Sequence, residues 1–152
     1  MPFDINDTVE ESFQLVGGNF GNAGEASAHL KTKLTELGVD EQLIRRASIA
    51  TFEAEMNVII YAAAAWLRYY ITPQAITIKI EDMGPGIEDI EQAMQEGYST
   101  APDWVREMGW GAGMGLPNMK KNSDEFKIDS VAGEGTTVQM VINIASTPKE
   151  LH

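Results

Sequence analysis

Residues 41–66, EQLIRRASIATFEAEMNVIIYAAAAW, run without a glycine or a proline. Nothing in the stretch breaks a helix, so its uninterrupted propensity predicts a single long helix across all of it. Asp40 stands where an N-cap belongs, with a carboxylate able to accept the first free amides. The second half of the stretch is apolar on nearly every side. Such a helix belongs inside a core, shielded by other elements.

Those other elements follow from periodicity. SFQLVG (12–17) reads as a short strand and GNFGNAG (18–24) as a turn. In EASAHLKTKLTELG, Ala26, Leu30, Leu34 and Leu37 recur at i, i+4, i+8 and i+11, which predicts an amphipathic helix stopped by Gly38. After the long helix, Leu67–Ile71, the turn TPQA and the alternation Ile76, Ile78, Ile80 predict a hairpin. MGPGI breaks it, and EDIEQAMQEG reads as a short helix with Gly97 just past its end. Residues 98–114 hold no sustained period and read as a long loop. LPNMKKNSD reads as a helix with Pro117 in its first turn, where a missing N–H does no harm. EFKIDS, the turn VAGEG and TTVQMVINI make a second hairpin, and ASTPKELH a frayed tail. Strands and helices do not alternate strictly. The fold class expected is α+β: a two-layer α/β sandwich, its sheet mixed but mostly antiparallel, its helices on one face. One domain is expected over 1–152, with a core of about 10–145.

Charge and composition narrow the chemistry. Lys and Arg total 11 against 23 Asp and Glu, a net charge of −12. Nucleic acid and anionic membrane are therefore poor partners, since both demand basic surface. A phosphate ligand would have to be held by backbone amides, a helix N-terminus or a metal ion. No cysteine is present, which removes disulfides, thiolate chemistry and Cys-ligated zinc. The two histidines, His29 and His152, lie far apart in sequence, which argues against a His-based zinc site or a Ser-His-Asp triad. With no signal-type apolar run and no long uncharged apolar stretch, a cytoplasmic protein is expected.

Three constellations carry chemistry. On the long helix, Glu53 and Asn57 are one turn apart and share a face beside an apolar stripe of Phe52, Met56 and Ile60. A carboxylate and an amide there need partners. The pair either sits at the solvent boundary or serves a metal-bound phosphate, with Asn57 offering a neutral oxygen to a hard cation and Glu53 acting as a base. Glu55 falls on nearly the opposite face and is expected to be solvated. The second constellation is Asp82-Met-Gly84-Pro-Gly86 at a strand end. Asp82 shares the core-facing side of Ile76, Ile78 and Ile80. It could accept from an exocyclic amine, or the segment could simply be a turn. The third is MGWGAGMGLP, with Gly109, Gly111, Gly113 and Gly115 leading into a helix. This is either an anion cradle of bare amides or a floppy connection.

The order of these motifs is more telling than any one of them. Acid-Asn on a helix is followed by Asp-x-Gly-x-Gly (82–86), then GWGAGMG (109–115), then GEGT (133–136) entering a strand. This order resembles the nucleotide-binding domain of the GHKL ATPase superfamily, over roughly residues 10–145. Within it, ATFEAEMNVIIYA, GPGIEDIEQAMQEGYST and GAGMGLPNMKKNSDEFKIDSVAGEGTTV resemble the anti-sigma-factor serine kinases, particularly the RsbT-type switch kinases.

The resemblance implies an ATP- and Mg²⁺-dependent serine/threonine kinase acting on a small STAS-domain regulatory protein. It also implies docking on a sigma factor or another regulator, and leaves room for a homodimer. Glu53 would be the base, and Asn57 the Mg²⁺ ligand. Asp82 would hold the adenine amine with help from Thr136, and Gly84 and Gly86 would shape that pocket. Gly111, Gly113 and Gly115 would wrap the phosphates, with residues 98–114 as a lid. The alternative is a non-catalytic anti-sigma or partner-binding module whose docking is set by bound ATP.

Some positions depart from the pattern. YAAAAW stands where relatives often have glycines, so the helix is expected to run on. Met83 replaces a residue that is often polar. Trp66 is expected in packing, Trp104 and Trp110 in the lid, and Lys120 and Lys121 on a solvated helix face.

Overall fold

A computed structural model describes residues 8–61, 64–82, 115–131 and 135–144. Five strands form one sheet: β1 (Val9–Val16), β2 (Ala64–Ile71), β3 (Ala75–Asp82), β4 (Glu125–Val131) and β5 (Gly135–Asn143). Their order is β1-β2-β3-β5-β4, and every pairing is antiparallel. Three α-helices, α1 (Glu25–Glu36), α2 (Glu41–Tyr61) and α3 (Gly115–Lys121), and a short 3-10 turn at Phe20–Asn22 complete the described elements. The α+β sandwich expected from the sequence is therefore present, and its sheet, among the described residues, is wholly antiparallel.

Alternation decides which face of the sheet is covered. Leu67, Tyr69, Ile71, Ile76, Ile78, Met140 and Ile142 are fully buried on one side. That side packs on α2, which crosses β1, β2, β3 and β5, while α1 and α3 flank α2. The opposite side carries Trp66, Arg68, Lys79, Glu81 and Gln139. Trp66 is 45% exposed there, with the Arg68 guanidinium 5.9 Å from its ring centre. This overturns its expected place in packing. Once 64–71 is a strand, the parity of position 66 puts it on the face that none of the described helices covers.

The boundaries have local causes. Ala26, Leu30 and Leu34 are completely buried along one stripe of α1, as the spacing predicts. Gly38, at φ +74°, closes the helix. The Val39 amide reaches the Leu34 carbonyl at 3.1 Å and the Gly38 amide reaches Thr35 at 3.1 Å, a Schellman ending that needs the left-handed glycine. Asp40 Oδ2 accepts from the Gln42 amide at 3.0 Å and caps α2 as expected.

The long helix ends at Tyr61 instead of running to residue 66. Ala64–Ile71 pairs along its whole length with β1, from Val16↔Ala64 to Val9↔Ile71. The Gly18 amide, just past β1, donates to the Ile59 carbonyl at 2.8 Å and so satisfies an acceptor that the ending helix leaves open. Tertiary pairing here overrides the helix propensity of alanine. The predicted helix at 88–97 and the long loop at 98–114 lie outside the described residues.

Glu55 also departs from expectation. It is fully buried, and its two oxygens accept from the amides of Ala26 and Ser27, each at 2.9 Å. The face opposite Glu53 meets the start of α1, where Gly24 offers no side-chain cap. The carboxylate on α2 therefore caps α1 from a neighbouring helix. Burial raises its pKa, and backbone bonds at Ala26, Ser27 and Gly24 pull it back only in part.

Candidate active site

Glu53 and Asn57 are both half-buried on the same face of α2, one turn apart. Neighbours at Ala54, Met56 and Val58 are buried, so the pair sits at the margin of the core. Glu53 has a partner that the sequence reading did not single out. The Asn118 side-chain amide donates to Glu53 Oε2 at 3.3 Å. Asn118 lies on α3, the helix opened by Gly115, with Pro117 in its first turn as expected. The packing of α3 on α2 brings the two side chains together. Partial burial raises the Glu53 pKa above the usual glutamate value, and the Asn118 bond opposes that rise. A carboxylate raised toward neutrality is a better proton acceptor than an ordinary one.

A second cluster lies at the adjoining ends of β3, β5 and β4. Asp82 is the last residue of β3, on the core-facing side as the alternation of Ile76, Ile78 and Ile80 predicts. The β3–β5 ladder ends at Glu81↔Thr137, and Asp82 Oδ1 continues it by accepting from the Thr136 amide at 3.0 Å. Thr136 is buried, and its hydroxyl lies 2.9 Å from that of Ser130, its partner across the β4–β5 pair. The structure therefore brings Asp82 and Thr136 into direct contact, and ties Glu53 to the helix that follows the glycine run. Gly84, Gly86, Gly111 and Gly113 lie outside the described residues, and Gly115 is the first residue of α3.

Asn118 and Ser130 escaped the sequence reading as partners of these groups. Asn118 carries a faint signal, being a polar residue between the buried Leu116 and Met119. Lys120 and Lys121 are exposed, in keeping with a solvated helix face.

The donor set bears on a cation. Among the described residues no three His, Asp or Glu side chains gather as a metal cage. A magnesium ion here would take the neutral Asn57 oxygen and draw its other ligands from phosphate and water, which is how this hard cation is commonly held with nucleotides. The half-buried Asn57, one turn from a carboxylate, fits that role.

The sequence and the fold are similar to those of several known proteins. Residues 21–142 match the family described as the histidine kinase-like ATPase domain. A serine/threonine-protein kinase RsbT of Bacillus subtilis (strain 168) is 36% identical over 110 residues, covering 70% of this chain and 77% of the relative. An anti-sigma F factor of Clostridium acetobutylicum is 32% identical over 111 residues, covering 70% and 74%. Another anti-sigma F factor, from Caldanaerobacter subterraneus subsp. tengcongensis, is 38% identical over 96 residues, covering 60% and 64%. The crystal structure of the RsbU and RsbW domains of Rv1364c from Mycobacterium tuberculosis superposes with a TM-score of 0.58 at 18% identity, over 88% of this chain and 31% of that one, a likeness of fold. With the family match spanning most of the sequence, the chain belongs to the histidine kinase-like ATPase domain family.

Proposed function

We propose that this chain is an ATP-dependent serine/threonine protein kinase of the partner-switching type, transferring the γ-phosphoryl group of ATP to a hydroxyl of a small STAS-domain regulatory protein. The observation that carries the proposal is Glu53: a half-buried carboxylate of raised pKa, one turn before Asn57 and bonded to the helix that follows the glycine run. A pure nucleotide binder has no use for such a base. The kinase and anti-sigma names of the relatives support the same reading.

The chemistry assigned to the side chains is simple. Glu53 takes the proton of the incoming serine or threonine hydroxyl as its oxygen bonds to the γ-phosphorus. The bond from that phosphorus to the β–γ bridging oxygen breaks, and ADP leaves. Asn57 would hold Mg²⁺ through its amide oxygen; the ion, when bound, neutralises the charge on the transferring phosphates. Asp82, positioned by the Thr136 amide, accepts from the exocyclic amine of adenine. On the sequence motifs, Gly84 and Gly86 are assigned to the base pocket, Gly111, Gly113 and Gly115 to the phosphates, and 98–114 to a lid. Most of the rate enhancement then comes from positioning and charge stabilisation.

The whole chain 1–152 is read as one kinase domain acting in the cytoplasm. Among the described residues no helix is long and apolar enough to cross a membrane. The anti-sigma F factor relatives favour a second reading, in which bound ATP mainly sets docking on a sigma factor and turnover is small. One experiment separates the two. Purified protein is mixed with Mg-ATP labelled at the γ-phosphate and a STAS-domain protein from the same organism. Label on the STAS protein that disappears in Glu53→Gln, with ATP binding kept, supports the kinase. Tight partner binding without transfer supports the docking module.

A further inference from the structure

The side of α2 that meets α3 carries Arg46, Glu53 and Asn57, spaced two turns and then one turn apart. Glu53 meets Asn118 in the first turn of α3. Arg46 reaches past the other end of that helix, where its Nη2 donates to Asp124 Oδ1 at 3.0 Å. Asp124 is fixed to the sheet as well. Its Oδ2 accepts from the Asn143 amide at 2.7 Å, and its own amide donates to the Val141 carbonyl at 2.8 Å. The turn between α3 and Asp124 is tied back to the helix. There the Asn122 and Ser123 amides donate to the carbonyls of Asn118 and Lys120, and the Ser123 hydroxyl donates to that of Met119. The helix is therefore gripped near its start by α2, and past its end by α2 and β5 together.

Such a grip matters for a short helix. With seven residues, α3 is too short to hold its direction on propensity alone. Its Leu116 and Met119 are buried, while Lys120 and Lys121 at its end are exposed. At 3.3 Å the Asn118–Glu53 bond is just past the usual range of about 2.7–3.2 Å. The two tether points on α2, positions 46 and 53, stand about 10 Å apart at about 1.5 Å per residue. Over that length a tilt of about 2° moves Asn118 by about 0.3 Å, enough to lose the bond.

We propose that Arg46 and Asp124 are a positioning pair for the transfer reaction: by holding the end of α3 to α2 and to β5 they keep Asn118 on Glu53, and so keep the base aimed at the incoming hydroxyl. The proposal rests on the kinase reading above. Neither residue need touch nucleotide or substrate, because both act through Asn118. Their side chains are 32% and 33% exposed, a setting in which an ion pair adds little to stability by itself. The effect belongs in the rate more than in the folding.

The test uses the full chain with Mg-ATP labelled at the γ-phosphate and a STAS-domain protein from the same organism. A second readout is the side-chain amide signals of Asn118 in the ¹H–¹⁵N spectrum. Arg46→Gln and Asp124→Asn remove the charge pair at nearly constant volume. Each should lower kcat about three- to tenfold, the value of one hydrogen bond, with the KM for ATP unchanged and the thermal midpoint little moved. The Asn118 signals should shift, and their protons should exchange faster with water. Arg46→Lys keeps a cation within reach of Asp124 and should keep most of the rate. In an Asn118→Ala background, Arg46→Gln should cost less than about a further twofold, because losses that share one route do not add. Losses that multiply in the double variant overturn the route through Asn118, as do Asn118 signals that stay in place while the rate falls. Equal kcat in wild type, Arg46→Gln and Asp124→Asn overturns the positioning role and leaves the kinase reading intact. Wild-type protein that transfers no label ends the kinase reading, and the role of the pair with it.

Discussion

Asn118 on α3 donates to Glu53 on α2 across 3.3 Å, and through this bond the helix that follows the glycine run is fastened to the carboxylate assigned as base. Any change in how α3 docks moves the partner of that carboxylate. On the assignments proposed above, a change at the glycine run would reach Glu53 through one hydrogen bond.

Removing that bond should be visible in the pH dependence of transfer. Burial raises the Glu53 pKa, and Asn118 works against the rise. The base is active when ionised, so activity falls as pH drops through its raised pKa. In Asn118→Ala the opposing bond is gone, the pKa climbs further, and the acid limb of the pH–rate profile should move to higher pH. At neutral pH the rate should drop about three- to tenfold, the scale of one hydrogen bond, with ATP affinity little changed. A profile that stays in place while the rate falls would point to mispacked α3 instead.

Glu53→Gln should separate stability from activity. Transfer should fall by at least about a hundredfold with the base removed, while ATP still binds. Stability should not fall with it. A carboxyl whose folded pKa lies above its unfolded value binds more protons when folded, so its contribution declines as pH rises between the two. At neutral pH the ionised Glu53 is thus a burden on the fold, and a neutral amide can still accept from Asn118. Thermal melts at pH 7 should place Glu53→Gln at or above the wild-type midpoint.

How much of this was legible from the residues depends on whether the cause was local. Ala26, Leu30 and Leu34 on α1, the alternation of Ile76, Ile78 and Ile80, Asp40 as a cap and Pro117 in a first turn are all decided within a few positions, and each stands where its spacing puts it. The motif order likewise led to the family now matched over residues 21–142. The end of α2 is different. Alanine at 62–65 favours a helix, and only the ladder from β1 and the Gly18 amide on Ile59 explain why the helix stops. Once that boundary shifts, the environment of Trp66 changes with it. A helical wheel placed Glu55 opposite Glu53 correctly, yet said nothing of what waits on that side. The Asn118–Glu53 and Ser130–Thr136 contacts join segments far apart in sequence, and no spacing rule reaches them.

Glu55 makes a prediction about folding. Its carboxylate is the partner of the buried Ala26 amide and of the part-buried Ser27 amide. Glu55→Ala strands one buried and one part-buried donor, at a cost of up to about 1–3 kcal/mol each, and adds a cavity. Urea unfolding should show a loss of about 3–5 kcal/mol. Glu55→Gln keeps one acceptor and should lose about half as much. Hydrogen exchange should locate the effect, with the amides of Ala26 and Ser27 losing protection ahead of the strands.

Tyr69 makes the last prediction, at alkaline pH. It is fully buried on β2, its hydroxyl 2.7 Å from His29 Nδ1 on α1, with Phe13 edge-on to the imidazole at 5.2 Å. Burial first, then the negative charges of Glu11 and Glu36, push its pKa from 10.0 up to about 12. A phenol that keeps its proton longer in the folded state binds more protons than the unfolded chain between those two values. Stability should therefore fall with rising pH across that window. Ultraviolet titration of the four tyrosines should show one phenol ionising late, near 12, and Tyr69→Phe should abolish that late step. The same variant leaves His29 without its partner and should cost about 1 kcal/mol at neutral pH, while flattening the alkaline decline. A late phenol that survives in Tyr69→Phe would mean that another tyrosine carries the shift, and that the α1–β2 contact is looser than a 2.7 Å bond implies.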